Sequence, residues 1–150
     1  MYKRILVPLD GSENDAVVLE HVKRLAKEFE AGVTLIMLHR LVPSDHPFQQ
    51  RVQVEEGSSG WRAKSAAESY LPQVERTLAQ VGIPVDTEFV MAEQPEADAI
   101  VKFAEEKGHD LIVFANRERS PIGRFFFGNI EEKVRRRTTL PVLFVSARKS

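Results

Sequence analysis

Short apolar runs alternate along this chain with segments in which apolar residues recur at helical spacing. The runs are typical of strands buried on both faces, and the periodic segments predict helices between them. The predicted strands cover residues 5–9, 33–38, 85–91, 111–115 and 142–145. Such alternation predicts an α/β fold, an open five-stranded parallel sheet with right-handed crossovers and helices on both faces.

Helix boundaries follow from local signals. The first helix is predicted to begin at a capping box formed by Ser12 and Asp15 and to stop at Gly32. The other three predicted helices cover about residues 61–81, 96–107 and 129–137. In the first of these three, Pro72 indicates either a kink or a later start of the helix.

The chain length bounds the number of domains. A chain of 150 residues with 43% hydrophobic content predicts a single domain over residues 1–150, with a core that buries about two-thirds of the unfolded surface. One connection is too long for an ordinary loop: residues 42–60 are rich in Pro, Gly and Ser. They are predicted to form a mobile excursion or a lid.

Composition excludes several classes of protein. The absence of cysteine rules out disulfides and thiolate metal sites, and the four histidines lack metal-binding spacing, so no metal site is expected. A net charge of −1 argues against a nucleic-acid partner. No leader-like or membrane-spanning apolar run is present. We therefore expect a cytoplasmic protein.

The segment from Asp110 to Val134 is the strongest candidate for binding chemistry. It reads as a buried strand, a loop rich in arginine, and a glycine, Gly128, that opens a helix near Asn129. A helix start presents backbone N–H groups and the positive end of the dipole, so this position can seat a phosphate. One charge has the wrong sign for that role, because Glu118 lies among the arginines.

The loop after the first strand is the second candidate. Ligands of open parallel sheets bind beyond the carboxyl ends of the strands, where the strand order reverses, and the first strand usually lies at that point. There Asp10 could accept hydrogen bonds from a ribose or from an adenine amino group. Alternatively, Asp10 only ties down the turn with Gly11 and Ser12.

Three segments together resemble the universal stress protein family. They are the opening K-R-I-L-V-P-L-D-G-S, the strand G-V-T-L-I-M-L-H and the closing F-F-F-G-N-I-E-E-K-V-R-R-R-T-T-L-P-V-L-F-V. The match spans nearly the whole chain. It implies a Rossmann-like sheet of the adenine nucleotide alpha hydrolase type in the order 3-2-1-4-5, a cytoplasmic homodimer and, in many members, ATP binding.

The family's ATP motif, Gly-x2-Gly-x9-Gly-Ser/Thr, is kept here at one of its four positions. The resemblance places its residues on Ala115, Glu118, Gly128 and Asn129. An alanine is tolerated if its φ is negative, and Asn129 can still donate to a phosphate oxygen. A carboxylate about 5 Å from a phosphate opposes binding by roughly 3 kcal/mol, unless Glu118 turns to solvent or pairs with an arginine.

A further departure is Arg40, which stands where the resemblance puts a small apolar residue against the adenine. Its guanidinium can stack on the base, fill the pocket or bond to Glu118. The complete set of expected contacts to ATP or a related adenine nucleotide, with or without Mg²⁺, is Pro8, Leu9, Asp10, Arg40, Phe114, Ala115, Arg117, Glu118, Gly128, Asn129 and Ile130.

Three functions remain open under this resemblance. The first is a homodimeric stress-response module that binds an adenine nucleotide, paired through the apolar edge strand at residues 142–146. The second is a dimer of the same fold whose nucleotide site is closed. The third is a weak ATP hydrolase, which we disfavour because no nucleophile with a neighbouring base is visible. We expect no enzymatic activity.

A phospho-signalling receiver domain shares the predicted alternation of strands and helices, but it needs other residues. Its site requires an Asp at the end of the third strand and a Lys after the fifth. The chain has Met91-Ala92-Glu93 and Ser146-Ala147-Arg148 at those positions. This class is therefore set aside.

Overall fold

The computed structural model describes residues 1–41, 55–116 and 130–146. Within these ranges the chain forms five strands and four helices in alternation, as predicted. In chain order they are β1 (Arg4–Leu9), α1 (Asn14–Phe29), β2 (Gly32–Arg40), α2 (Ser59–Ala79), β3 (Val85–Ala92), α3 (Glu96–Glu106), β4 (Leu111–Asn116), α4 (Ile130–Arg137) and β5 (Val142–Ser146).

All five strands are parallel and lie in the order β3-β2-β1-β4-β5, which confirms the predicted fold. β1 pairs with β2 from Arg4↔Gly32 to Leu9↔Met37, and with β4 at Ile5↔Leu111. β2 and β3 therefore follow β1 on one side of the sheet, and β4 and β5 lie on its other side. The strand order reverses between β1 and β4, so the carboxyl end of β1 lies at the switch point.

The sheet is covered on both faces, which explains its continuous apolar runs. Odd-numbered residues of β1, such as Ile5 and Val7, pack in one cluster with side chains of α1 and α2. Even-numbered Leu6 packs in a second cluster with α3 and with Val134 of α4. Burying a Val, Leu or Ile side chain stabilises the fold by about 1.5–3 kcal/mol, so both faces of β1 contribute.

Three helix boundaries differ from the prediction. α1 begins at Asn14 with Glu13, not Ser12, at its N-cap. α1 ends through Glu30, which adopts the left-handed conformation with φ 52°, whereas the predicted stop, Gly32, is the first residue of β2. A non-glycine residue in this conformation costs about 1–2 kcal/mol. The amide of Ala31 bonds to the Ala26 carbonyl at 2.9 Å and closes the helix end.

α2 starts earlier than predicted. The hydroxyl of Ser58 caps it by accepting from the Trp61 amide at 3.2 Å. Pro72 lies inside the helix, so the alternative of a later start was wrong. Of the predicted long connection, residues 42–54 lie outside the described residues, and its last two residues, Ser59 and Gly60, already belong to α2.

Candidate functional site

A cavity of about 400 Å³ opens at the carboxyl ends of β1, β2 and β3. The strand ends form its floor, and α2 and α3 form its sides. The lining residues are Pro8, Leu9 and Asp10 after β1; Met37, Leu38 and Arg40 of β2; Phe89 of β3; Ala63 and Ala66 of α2; and Glu96 and Ile100 of α3. Most of this wall is apolar, with three charged side chains among it.

The cavity wraps over the end of the sheet because side chains alternate along each strand. Met37 belongs to the face covered by α1 and α2, while Leu38 belongs to the face covered by α3. The side formed by α2 is open because Ala63 and Ala66 carry only a methyl group. Ligand pockets of this kind combine apolar walls with a few polar groups that fix orientation.

Asp10 ties down the turn after β1 and also lines the cavity. One carboxylate oxygen, Oδ1, accepts a hydrogen bond from the Ser12 amide at 2.9 Å, which closes the turn. The same exposed side chain lines the cavity. Gly11 makes the turn with φ 79°, a conformation that side chains rarely adopt. The turn therefore holds the carboxylate at the cavity wall.

Asp15 does not form the predicted capping box with Ser12. Its carboxylate accepts from the Gly11 amide at 2.8 Å, from the Asp10 amide at 3.3 Å and from the Tyr70 hydroxyl at 2.8 Å. Asp15 is only 2% exposed. It therefore joins the β1 loop to α2 instead of capping α1.

Burial alters the ionisation of this pair. Desolvation raises the pKa of Asp15, against the three hydrogen bonds, which lower it. Desolvation also raises the pKa of the Tyr70 hydroxyl, and the hydrogen bond to Asp15 raises it further. Tyr70 therefore remains a hydrogen-bond donor to Asp15 well into the alkaline range.

Two side chains of opposite charge, Arg40 and Glu96, also line the cavity. Arg40, the last residue of β2, is exposed and lines the wall, and Glu96 at the start of α3 is half-buried in the same wall. A cation and a carboxylate in one pocket can recognise a ligand that carries both acceptor and donor groups.

β4 contributes less side-chain surface than predicted. Phe114 is 1% exposed and stacks on Phe144 with ring centroids 5.2 Å apart, so its side chain is part of the core and only its backbone could meet a ligand. Ala115 is also buried and pairs with Val145. Among the described residues Glu30 is the single non-glycine with positive φ, so the backbone at Ala115 tolerates its methyl group.

The predicted phosphate-binding residues are placed only in part. Arg117, Glu118, Gly128 and Asn129 lie outside the described residues. Ile130 is the first residue of α4 and packs against the core cluster between the sheet and α3.

Sequence reasoning missed part of the wall. Met37 and Leu38 end the second apolar run and could have been found by the rule that identified Pro8 and Leu9. Glu96 begins the helix after the third strand, which is the same kind of position. The α2 residues carry no comparable signal. The full set that was missed is Met37, Leu38, Ala63, Ala66, Phe89, Glu96 and Ile100.

The described ranges contain neither a cluster of metal-ligating side chains nor a helix that could span a membrane. In residues 1–41, 55–116 and 130–146, no three His, Cys, Asp or Glu side chains are grouped in a way that could hold a metal ion. In the same ranges no helix has the length and apolar character needed to cross a membrane.

Comparison with known proteins identifies the family. The sequence model of the universal stress protein family matches residues 1–146 of this chain. The chain belongs to the universal stress protein family. It is similar to universal stress protein MJ0531 of Methanocaldococcus jannaschii, with 33% identity over 150 residues that cover 97% of this chain and 82% of that protein.

Solved structures of family members share the fold. The structure of MJ0577, from the same organism, matches with a TM-score of 0.78 and 26% identity, covering 100% of this chain and 99% of that chain. A universal stress protein of Archaeoglobus fulgidus in complex with dAMP matches with a TM-score of 0.68 and 20% identity, covering 96% and 98%. That relative binds an adenine nucleotide.

Proposed function

We propose that this protein binds an adenine nucleotide in the cavity beyond β1, β2 and β3, and acts as a cytoplasmic, homodimeric stress-response module. The observation that carries the proposal is the cavity itself: about 400 Å³, largely apolar, with the Asp10 carboxylate in its wall at the switch point of the sheet. Pockets of about 300–1,000 Å³ suit small ligands. Family membership and the dAMP complex of a relative support an adenine nucleotide.

The chemistry of the wall suits adenosine. Met37, Leu38 and Phe89 offer apolar surface for the base. The Asp10 carboxylate can accept from an amino group or from ribose hydroxyls, and a hydrogen bond to a charged group contributes about 1.5–3 kcal/mol. The phosphates would then extend past the end of β4, and the sequence predicts an anion seat at Gly128 and Asn129 in the segment that follows this strand.

Arg40 decides between an open and a closed site. If its guanidinium stacks on the base, the contact adds about 0.5–2 kcal/mol to binding. If it fills the adenine end, the protein is a nucleotide-independent dimer of the same fold. The position of Arg40 in the cavity wall makes this second function a specific candidate.

Titration calorimetry with ATP and Mg²⁺, and with AMP, tests the proposal. For the wild type we expect dissociation constants from micromolar to low millimolar, and weakening of about tenfold in Asp10→Ala, which corresponds to one lost hydrogen bond. Asp86→Ala is the matched control, because Asp86 is an exposed carboxylate on β3 away from the cavity. Equal affinities of Asp10→Ala and wild type would contradict this placement.

The same titration separates the two candidates. Glu118→Gly should tighten binding about tenfold or more if the carboxylate opposes the phosphates. Binding that appears only in the double variant Arg40→Val with Glu118→Gly would mean that the natural protein has closed its site. Tight wild-type binding that does not change in Glu118→Gly would show that the Glu118 carboxylate does not oppose the phosphates.

The homodimer is proposed to form through β5. This edge strand is apolar, and its Leu143 is 39% exposed. Pairing two such edges would supply hydrogen-bond partners and cover Leu143, and exposed edges normally carry charges that prevent this pairing.

Light scattering coupled to size-exclusion chromatography tests the dimer. We expect a dimer at micromolar concentration and a monomer for Leu143→Asp. Val81→Asp is the matched control, since Val81 is also 39% exposed but lies outside the strands. A monomeric wild type would overturn the assignment.

We propose binding and regulation for this protein and no catalysis. The support is sequence-based: the loop after β1, L-D-G-S, is too short for the Gly/Ser-rich loop of an ATP hydrolase. Release of inorganic phosphate from ATP above the rate without protein would contradict this proposal.

A further inference from the structure

We infer that Asp15 and Tyr70 are positioning residues: together they fix the Asp10–Gly11 loop against α2 and so set the mouth of the cavity. The inference rests on the proposed function for its consequence in binding. Its structural basis is the hydrogen-bond network of the described residues.

The Asp15 carboxylate is the centre of this network. It is 2% exposed and accepts from two consecutive loop amides, Gly11 at 2.8 Å and Asp10 at 3.3 Å. A buried carboxylate is costly unless its oxygens are satisfied, and here the backbone of the loop satisfies them. The loop amides therefore have a fixed acceptor, and Asp10 cannot move outward without breaking its amide's contact.

Tyr70 supplies the third hydrogen bond from a different part of the chain. Its hydroxyl donates to Asp15 Oδ2 at 2.8 Å, the same oxygen that accepts from Gly11. The two residues are 55 positions apart in sequence. This contact therefore links α2 directly to the loop after β1.

The helical spacing of α2 connects this bond to the cavity. Ala63, Ala66 and Tyr70 are three and four residues apart, so they lie along one face of the helix, and the two alanines line the cavity. Fixing Tyr70 to Asp15 therefore fixes the distance between the alanine wall and Asp10 on the opposite side. The core residues Ala67, Leu71 and Val74 hold α2 on the sheet, and the hydrogen bond from Tyr70 to Asp15 ties it to the loop.

Stability and ligand affinity together distinguish a positioning contact from ordinary core packing. A purely structural contact would change stability and leave affinity unaltered. A positioning contact changes the affinity of the site and the dynamics of the loop more than it changes the stability of the fold.

Hydroxyl deletion provides the test, because the chain has two tyrosines and each can be changed to phenylalanine. Tyr70→Phe keeps the ring and removes only the donor to Asp15. Tyr2→Phe is the matched control, since Tyr2 packs edge-on against Phe29 at the opposite end of the sheet. The first measurement is amide hydrogen exchange of the ligand-free proteins, which requires no nucleotide.

In Tyr70→Phe we expect the Asp10 and Gly11 amides to exchange at least fivefold faster, while amides within β1 such as Val7 keep their rates. Tyr2→Phe should leave the loop amides unchanged. Unaltered exchange at Asp10 and Gly11 in Tyr70→Phe would overturn the inference, whether or not the protein binds a nucleotide.

The second measurement is the affinity for AMP. We expect Tyr70→Phe and Asp15→Asn each to weaken binding about five- to twentyfold, and the double variant to lose no more than the worse single variant, because both act through one contact. Wild-type binding with an affinity unchanged in Tyr70→Phe would overturn the role in binding. Failure of the wild type to bind refutes the proposed function, and the exchange rates then decide the positioning role separately.

Discussion

The two ends of the parallel sheet differ in what their polar groups contact. At the amino end, the Asp110 carboxylate accepts from the backbone amides of Lys3 and Arg4 at 2.8 and 3.1 Å. Beside it His109, 4% exposed, lies with Nε2 2.9 Å from the Thr34 hydroxyl. At the carboxyl end, Asp10 of the loop after β1 lines a cavity of about 400 Å³.

The difference concerns which groups the buried side chains hold in place. Each end contains a buried titratable side chain, His109 or Asp15, and both are held by hydrogen bonds from the protein. At the amino end these bonds join core elements to one another. At the carboxyl end they hold the loop after β1, and Asp10 of this loop lines the cavity. We therefore expect changes at the amino end to affect mainly stability and changes at the carboxyl end to affect mainly binding.

The largest expected effect is at the amino end. His109→Ala should lower the free energy of unfolding by about 2–4 kcal/mol, because it leaves a cavity beside Phe103 and removes the partner of the Thr34 hydroxyl. His21→Ala, on the exposed face of α1, should change it by less than about 0.5 kcal/mol. Urea denaturation measures both. A loss in nucleotide affinity without a loss in stability would break the comparison.

A smaller loss is expected from the clamp on β1. Asp110→Ala removes the acceptor of two backbone amides and should cost about 1–2 kcal/mol of unfolding free energy. Glu88→Ala, at an exposed position of β3, serves as the control in the same denaturation series. If both variants unfold at the same urea concentration, the Asp110 contacts do not secure the amino end.

The two buried groups should also give opposite pH dependences. Burial, with the nearby charge of Arg4, lowers the pKa of His109, so its contribution is fully present above the unfolded pKa of about 6.5 and is lost as pH falls, by at most about 1.4 kcal/mol per unit. Burial raises the pKa of Asp15, so its contribution is present below about 3.9 and is lost as pH rises through the folded-state value.

Urea denaturation between pH 4 and 7.5 checks these signs by difference. Subtracting the curve of His109→Ala from that of the wild type should leave a component that weakens toward acid. The corresponding difference for Asp15→Asn should weaken toward neutral pH. Two components of the same sign would contradict the assignment of neutral His109 and desolvated Asp15.

The smallest effect on stability is expected inside the cavity. Ala66→Trp should change the free energy of unfolding by less than about 0.5 kcal/mol, because Ala66 is exposed, yet it should abolish AMP binding by filling the space beside α2. Ser65→Trp is the control, since Ser65 is an exposed neighbour that does not line the cavity. Undiminished binding by Ala66→Trp would place the nucleotide elsewhere.

Local patterns predicted the elements well, and the site less completely. The alternation of apolar runs and helical periodicity predicted each strand and helix of the described residues, since burial on both faces leaves a continuous apolar run. Glu30 was missed because the left-handed conformation is normally signalled by glycine, and Gly32 stood nearby. Pro8, Leu9, Asp10 and Arg40, four of the residues predicted to contact a nucleotide, line one cavity because the carboxyl ends of parallel strands converge.

The contacts that shape the site escaped prediction for a different reason. Ala63 and Ala66 reach the cavity only because α2 packs beside the strand ends, and small residues in a helix carry no signal of that. The Asp15 carboxylate suggested a cap on its own helix. Its actual partner, Tyr70, is distant in sequence, and a distant hydrogen bond leaves no local pattern.

The sequence by itself therefore determined the class of fold, through periodicity, and the family, through three segments that span the chain. Tertiary structure decided which side chains meet. It buried Phe114 against Phe144, turned Asp15 toward Tyr70 and opened a cavity beside two alanines. The physical reason is range: periodicity and capping act over a few residues, whereas a binding site is assembled by packing between elements far apart in the chain.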